Sequence, residues 1–142
     1  MIVIDTNVVS ALMSARAVEL EPWLRVVDGS QLFTTAITRA EIRYGIERLP
    51  DGRRRDDLSA RADALFDETA ERILPFDSAA ADRYGRVVAT REQVGRPISI
   101  ADAQIAAIAL AHRATIATRN AKDFHGTGAR VVDPFDPEEW TP

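Results

Sequence analysis

Apolar residues along the chain fall into two rhythms: short unbroken runs, and longer stretches where they recur every three or four positions. The first run, Ile2-Val3-Ile4, is too short for a helix and ends abruptly in Asp5-Thr6-Asn7. Unbroken apolarity marks a strand buried on both faces. Thr6 or Asn7 is a suitable cap for a short helix over residues 8–13. Residues 17–27 place Leu20, Trp23, Leu24 and Val27 on one helical face, with Pro22 read as part of a first turn, where its missing N–H is tolerated. The β-rich run 32–37 follows the turn signal Asp28-Gly29-Ser30 and reads as the second strand. Residues 38–49 then have helical spacing, with Ile42, Ile46 and Leu49 facing inward.

Residues 53–70 are highly charged, yet Leu58, Ala62, Leu65 and Phe66 keep a helical period, which predicts an amphipathic helix rather than a linker. Pro75 assigns the brief strand 72–76 to a sheet edge or strand end. Asp77 or Ser78 caps a long helix to about residue 94, and Gly95-Arg96-Pro97 breaks it. The isoleucine- and alanine-rich stretch 98–111 predicts a buried helix. Strands over 115–118 and 130–133 follow, and Pro134, Pro137 and Pro142 mark an irregular tail. Strands alternating with helices predict an α/β fold: a central, mostly parallel sheet of four to five strands, flanked by helices on both faces, in a single domain over residues 1–142.

Composition narrows the classes without naming one. An apolar share of 46% with 28% charged residues suits a globular domain and argues against disorder. The absence of cysteine excludes disulfides and thiolate metal sites. Neither a signal-like leader nor an apolar run of about 18 residues occurs, so the expectation is a cytoplasmic protein with no membrane segment. A net charge of −4 does not mark a nucleic-acid binder. Lys122 is nevertheless the lone lysine among 18 basic residues, and an arginine bias suits bidentate contact with phosphate or carboxylate.

The expected sheet gives the acids meaning, because ligands of open α/β folds sit beyond the carboxyl ends of the strands. Asp5 closes the first strand. Glu41 in Thr38-Arg39-Ala40-Glu41 and Asp102 in Ser99-Ile100-Ala101-Asp102 both fit the capping-box spacing, and Asn120 to Asp123 has the related spacing. Taken singly, a first-turn acid is a cap stabilised by the helix dipole, worth about 0.3 to 1 kcal/mol. Asp5 does not fit a third-position cap, and a carboxylate ending an apolar strand is costly unless solvated or paired. Two carboxylates 4 Å apart repel by about 4 kcal/mol at an effective dielectric of 20, a conflict that a cation resolves. Oxygen donors without cysteine or a histidine pair point to Mg²⁺ or Mn²⁺ rather than zinc. His112, ending a helix, and His125, in a glycine-rich loop, are read as peripheral.

Four motifs in order carry a resemblance: Met1-Ile2-Val3-Ile4-Asp5-Thr6-Asn7-Val8-Val9-Ser10, Thr38-Arg39-Ala40-Glu41-Ile42-Arg43-Tyr44-Gly45, Ile100-Ala101-Asp102-Ala103-Gln104-Ile105-Ala106-Ala107 and Ala117-Thr118-Arg119-Asn120-Ala121-Lys122-Asp123-Phe124. Together they resemble the PIN-domain ribonucleases, and more narrowly the VapC/FitB-type toxins of bacterial toxin–antitoxin pairs. The resemblance covers essentially the whole chain. It implies a Mg²⁺- or Mn²⁺-dependent endoribonuclease with Asp5, Glu41 and Asp102 as catalytic and metal-binding acids. Many relatives carry an acid where this chain has Asn120, so Asp123 is carried to the fourth position and Asn120 is kept as a polar support. Thr6 and Thr118 are candidates to orient carboxylates or a water through their hydroxyls, and Arg39 and Arg43 are candidate RNA contacts beside the alternative of a solvated helix face. The resemblance also implies a VapB-like antitoxin partner and a homodimer.

Two other classes share this frame. A metal-dependent phosphatase with an aspartyl nucleophile needs a second aspartate at position 7, which is Asn7. A receiver-like phospho-acceptor needs an acidic pair before the acceptor and a downstream lysine. A catalytically silent binding module would use the same acids only as caps.

Overall fold

The computed structural model describes residues 1–140; Pro142, read as the end of the irregular tail, lies outside them. Five strands form one sheet in the order β3-β2-β1-β4-β5, and every pairing is parallel. They are β1 (Ile2–Ile4), β2 (Leu32–Thr35), β3 (Ile73–Leu74), β4 (Thr115–Ala117) and β5 (Arg130–Val132). The chain builds outward from β1 to β3 on one side, then returns to place β4 on the other side of β1. The strand order therefore reverses at β1, the kind of point beyond whose strand ends open α/β sheets bind ligands. The predicted α/β class holds, and β3 lies at the edge as Pro75 implied.

Alternation along the strands sorts the core into two layers. Val3 and Ile116 pack with Ile105, Ile108 and Phe124 against α5 (Ser78–Gln93) and α6 (Ile100–Ala111). Ile4 and Ala117 pack with Val8, Trp23, Ile42, Ile46 and Phe66 against α1 (Thr6–Leu12), α3 (Ala36–Glu47) and α4 (Arg53–Glu68). The two helices with opposite sequence character behave accordingly. The apolar α6 buries Ala103 and every residue from Ile105 to Ala109, whereas charged α4 buries only Ala62 and Phe66.

Several boundaries differ from the periodicity, each for a local reason. The first helix starts at Thr6, so Asp5 occupies the cap position that the sequence suggested for Thr6 or Asn7. The expected helix over 17–27 splits into a 3₁₀ segment, Ala15–Leu20, and a short α2 (Glu21–Leu24). Pro22 lies in the first turn of α2, where it has no N–H to lose; a helix running through it would forfeit a hydrogen bond. The second strand ends at Thr35, two residues before its expected end, because the Thr35 hydroxyl oxygen accepts the Thr38 N–H at 3.0 Å and α3 starts at Ala36. The helix expected from residue 98 starts at Ile100, capped by Ser99. After β4 comes α7 (Ala121–Phe124), and the tail read as irregular contains α8 (Pro137–Trp140), which begins on its proline. No helix among the described residues is long and apolar enough to cross a membrane.

Candidate active site

Asp5 follows β1 directly, and its N–H donates to the Ala117 carbonyl of β4 at 3.0 Å. Its side chain is buried, and neighbours engage both oxygens. The Thr6 N–H donates to Oδ1 at 2.7 Å. The Thr118 hydroxyl and the Asn7 amide donate to Oδ2 at 2.8 and 3.1 Å. Burial pushes the Asp5 carboxyl up to about 6 against the pull of the bonds from Thr118 and Thr6, and the charges of Asp102 and Glu41 add to the rise.

Glu41 reaches the same junction from α3. Because the cap is Thr35 rather than Thr38, Glu41 lies in the second helical turn, and the capping-box reading of this acid fails. Its Oε1 instead accepts the Thr6 hydroxyl at 2.7 Å. Asp102 does hold the expected capping position, its N–H donating to the Ser99 hydroxyl at 3.1 Å. Burial raises the Asp102 pKa, the bond with Ser99 lowers it, the charges of Asp123 and Glu41 raise it, and that of Arg91 lowers it.

Asp123 lies in the single turn of α7. Asn120 stands at the cap of that helix without a side-chain cap bond, while its N–H donates to the Thr118 hydroxyl at 3.1 Å. Thr118 is thus a node that donates to Asp5 and accepts from both Asn120 and the Asn7 amide, the latter at 2.9 Å. The charges of Asp102 and Glu41 raise the Asp5 pKa, and those of Asp123 and Glu41 raise that of Asp102.

Among the described residues, no three acids converge into a group that would hold an ion by itself. The donors are nonetheless all oxygen, mutually repelling and partly withdrawn from water. That set fits a hard dication bound by a few carboxylates, with water completing its shell, the habit of Mg²⁺.

The two arginines expected to face RNA also pack against α4. Arg39 lies over the Phe66 ring at 5.3 Å, and Arg43 lies over the same ring at 5.6 Å while pairing with Asp63 at 2.7 Å. Both tie α3 to α4. His112 and His125 end α6 and α7 as exposed residues. Two supporting residues escaped the sequence reading. Asn7, taken there for a cap, bonds Asp5 and Thr118 and accepts the Arg119 N–H at 3.1 Å. Arg91 is buried beside the Asp123 segment. Its signal was a charge at spacing four, three and four on the apolar stripe Ala80, Tyr84, Val87, Arg91.

The PIN domain family matches residues 2–129, nearly the whole chain. The chain belongs to that family. The VapC ribonuclease Y4jK of Sinorhizobium fredii is 38% identical, the match covering 96% of this chain and 99% of that protein. Among solved structures, FitAcB from Neisseria gonorrhoeae superposes with a TM-score of 0.86 at 33% identity, over 95% of this chain and 99% of the other. A chain of a toxin–antitoxin complex from Klebsiella pneumoniae superposes at 0.67 with 27% identity, over 94% of this chain and 98% of that one.

Proposed function

We propose that this PIN domain is a Mg²⁺- or Mn²⁺-dependent endoribonuclease and the toxin of a toxin–antitoxin pair. One observation carries the reading: a buried Asp5 ends β1 where the strand order reverses, and Thr6 bonds both its carboxylate and that of Glu41 from α3. Similarity to a VapC ribonuclease and to a chain of a toxin–antitoxin complex supports it.

Asp5 and Asp102, with Glu41 and Asp123, would hold the ion. A dication bound there supplies a polarised scissile phosphate and a water of lowered pKa. The chain contributes orientation. Bonds from the Thr6 N–H, Thr118 and Asn7 fix the Asp5 carboxylate before any ligand arrives, and the Thr6 hydroxyl holds Glu41. Water attacks phosphorus in line, the bond to the 3′ oxygen breaks and that oxygen takes a proton, which leaves a 5′ phosphate. Exposed Arg39 is the proposed RNA contact, whereas Arg43 is committed to Asp63. The phosphatase alternative loses ground at position 7: the Asn7 amide donates to Asp5, which an ionised aspartate could not do.

An antitoxin has a groove to occupy. Leu12, Leu32, Phe33 and Leu65 line an apolar cavity of about 280 Å³ between β2, α1 and α4. A second cavity of about 230 Å³ is lined by Ile46 and Leu58 together with Thr6 and Glu41. A segment bound in the second cavity would lie against Glu41.

Mn²⁺ titration by calorimetry, with mapping of cleaved RNA ends, tests the assignment against Asp5→Asn. The expected result is stoichiometric binding and metal-dependent cleavage by the parent and neither by the variant. Undiminished cleavage by a folded Asp5→Asn protein removes the catalytic role from this site.

A further inference from the structure

Arg91 lies in the last turn of α5, and with 5% of its surface exposed it is a buried cation. Its acceptors are backbone carbonyls of the α5–α6 loop and of the α7 turn and its end. Nε donates to Arg96 O at 2.6 Å, and one terminal nitrogen donates to Asp123 O at 2.5 Å and His125 O at 3.1 Å. The chain wraps around the side-chain stem: a Cβ built on Gly126, whose φ is +78°, would lie 3.7 Å from Arg91 Cδ. A buried guanidinium is expensive unless bonds and opposite charge offset it. Carbonyls provide the bonds here, and the acids provide the opposite charge, since Arg91 favours the ionised form of Asp102. A four-residue helix such as α7 cannot hold itself in water. What places Asp123 must therefore come from outside it.

We infer that Arg91 is a positioning residue of the acidic site: by gripping the Asp123 and His125 carbonyls from α5, it sets where α7 presents the fourth carboxylate to a divalent cation. The inference rests on the metal-dependent reading of the acids. Arg91 does not touch the ion or the RNA; it acts through Asp123. Its bonds to Arg96 O and to the carbonyls of residues 123 and 125 also join the α5–α6 loop, which leads into Asp102, to the α7 turn.

Arg91→Met keeps the apolar stem and removes the donors, and Arg91→Lys keeps the charge with fewer donors in reach. In the metal-free protein, hydrogen exchange of residues 121–128 is expected to quicken in Arg91→Met and to be partly restored in Arg91→Lys. Mn²⁺ affinity, read by calorimetry, should fall about tenfold in Arg91→Met, in line with losses at groups that orient metal ligands. Combining Arg91→Met with Asp123→Asn should cost no more Mn²⁺ affinity than Asp123→Asn alone, because both changes act through one carboxylate. Parent-like exchange in both Arg91 variants overturns the inference, as does a double variant whose losses add. If Arg91→Met fails to fold, Arg91→Lys and its own combination with Asp123→Asn decide on the same readings. A parent protein that binds no Mn²⁺ or cuts no RNA defeats the nuclease reading instead, while the exchange result still judges the grip of Arg91 on α7.

Discussion

The β1–α1 and β4–α7 junctions lie side by side at one sheet edge, and each delivers an aspartate by different means. At the first, the chain supplies nearly everything locally: Thr6 and Asn7, the two residues after Asp5, bond its carboxylate. At the second, the helix is one turn long, its cap residue makes no side-chain bond, and an arginine about thirty positions earlier holds the turn by its carbonyls. Thr118 joins the two, since its hydroxyl donates to Asp5 and accepts the Asn120 N–H. The contrast teaches that neighbouring donors can preorganise a buried carboxylate, whereas an acid on a short helix inherits its position from whatever packs on that helix.

If the comparison is right, loss of the two aspartates should differ in scale. Asp5→Asn is expected to lower metal-dependent RNA cleavage at least about a thousandfold, the loss of several kcal/mol of charge stabilisation. Asp123→Asn should cost about ten- to a hundredfold, closer to a supporting role. Equal losses in single-turnover assays would erase the distinction between the junctions.

The same aspartate should show the opposite sign in stability. Between about pH 4 and 6 the metal-free folded protein holds a proton on Asp5 that the unfolded chain has released. This group's contribution therefore falls as pH rises through that window, by about 3 kcal/mol, and is flat above it. Asp5→Asn removes that cost and loses about one hydrogen bond. At pH 7.5 without metal the variant should be more stable by about 2 kcal/mol. Denaturant melts at pH 4 and 7.5 check both the sign and the window.

Smaller effects sharpen the roles of the supports. Asn7→Ala should weaken Mn²⁺ binding about tenfold. Asn120→Ala, which removes no cap bond, should stay within about twofold of the parent. Ser99→Ala should lower stability by about 1 kcal/mol through loss of the α6 cap, and should move Mn²⁺ affinity less than Asn7→Ala does. A reversed ranking of Asn7 and Asn120 would shift the burden of support from the first junction to the second.

The sequence by itself determined the strand–helix alternation, the burial of α6, the solvated face of α4 and the acids at strand ends. These depend on local periodicity and on carboxylates in unusual places, and both are written in consecutive residues. It misjudged residues whose role comes from a distant partner. Thr38 looked like a cap until Thr35 took that place. Only the tertiary structure decided that Glu41 serves no cap, that Asn7 braces Asp5, and that Arg91 clamps the turn carrying Asp123. The physical reason is range: caps and periods act within a turn or two of chain, whereas burial and convergent charge exist only once strands far apart in sequence lie next to each other.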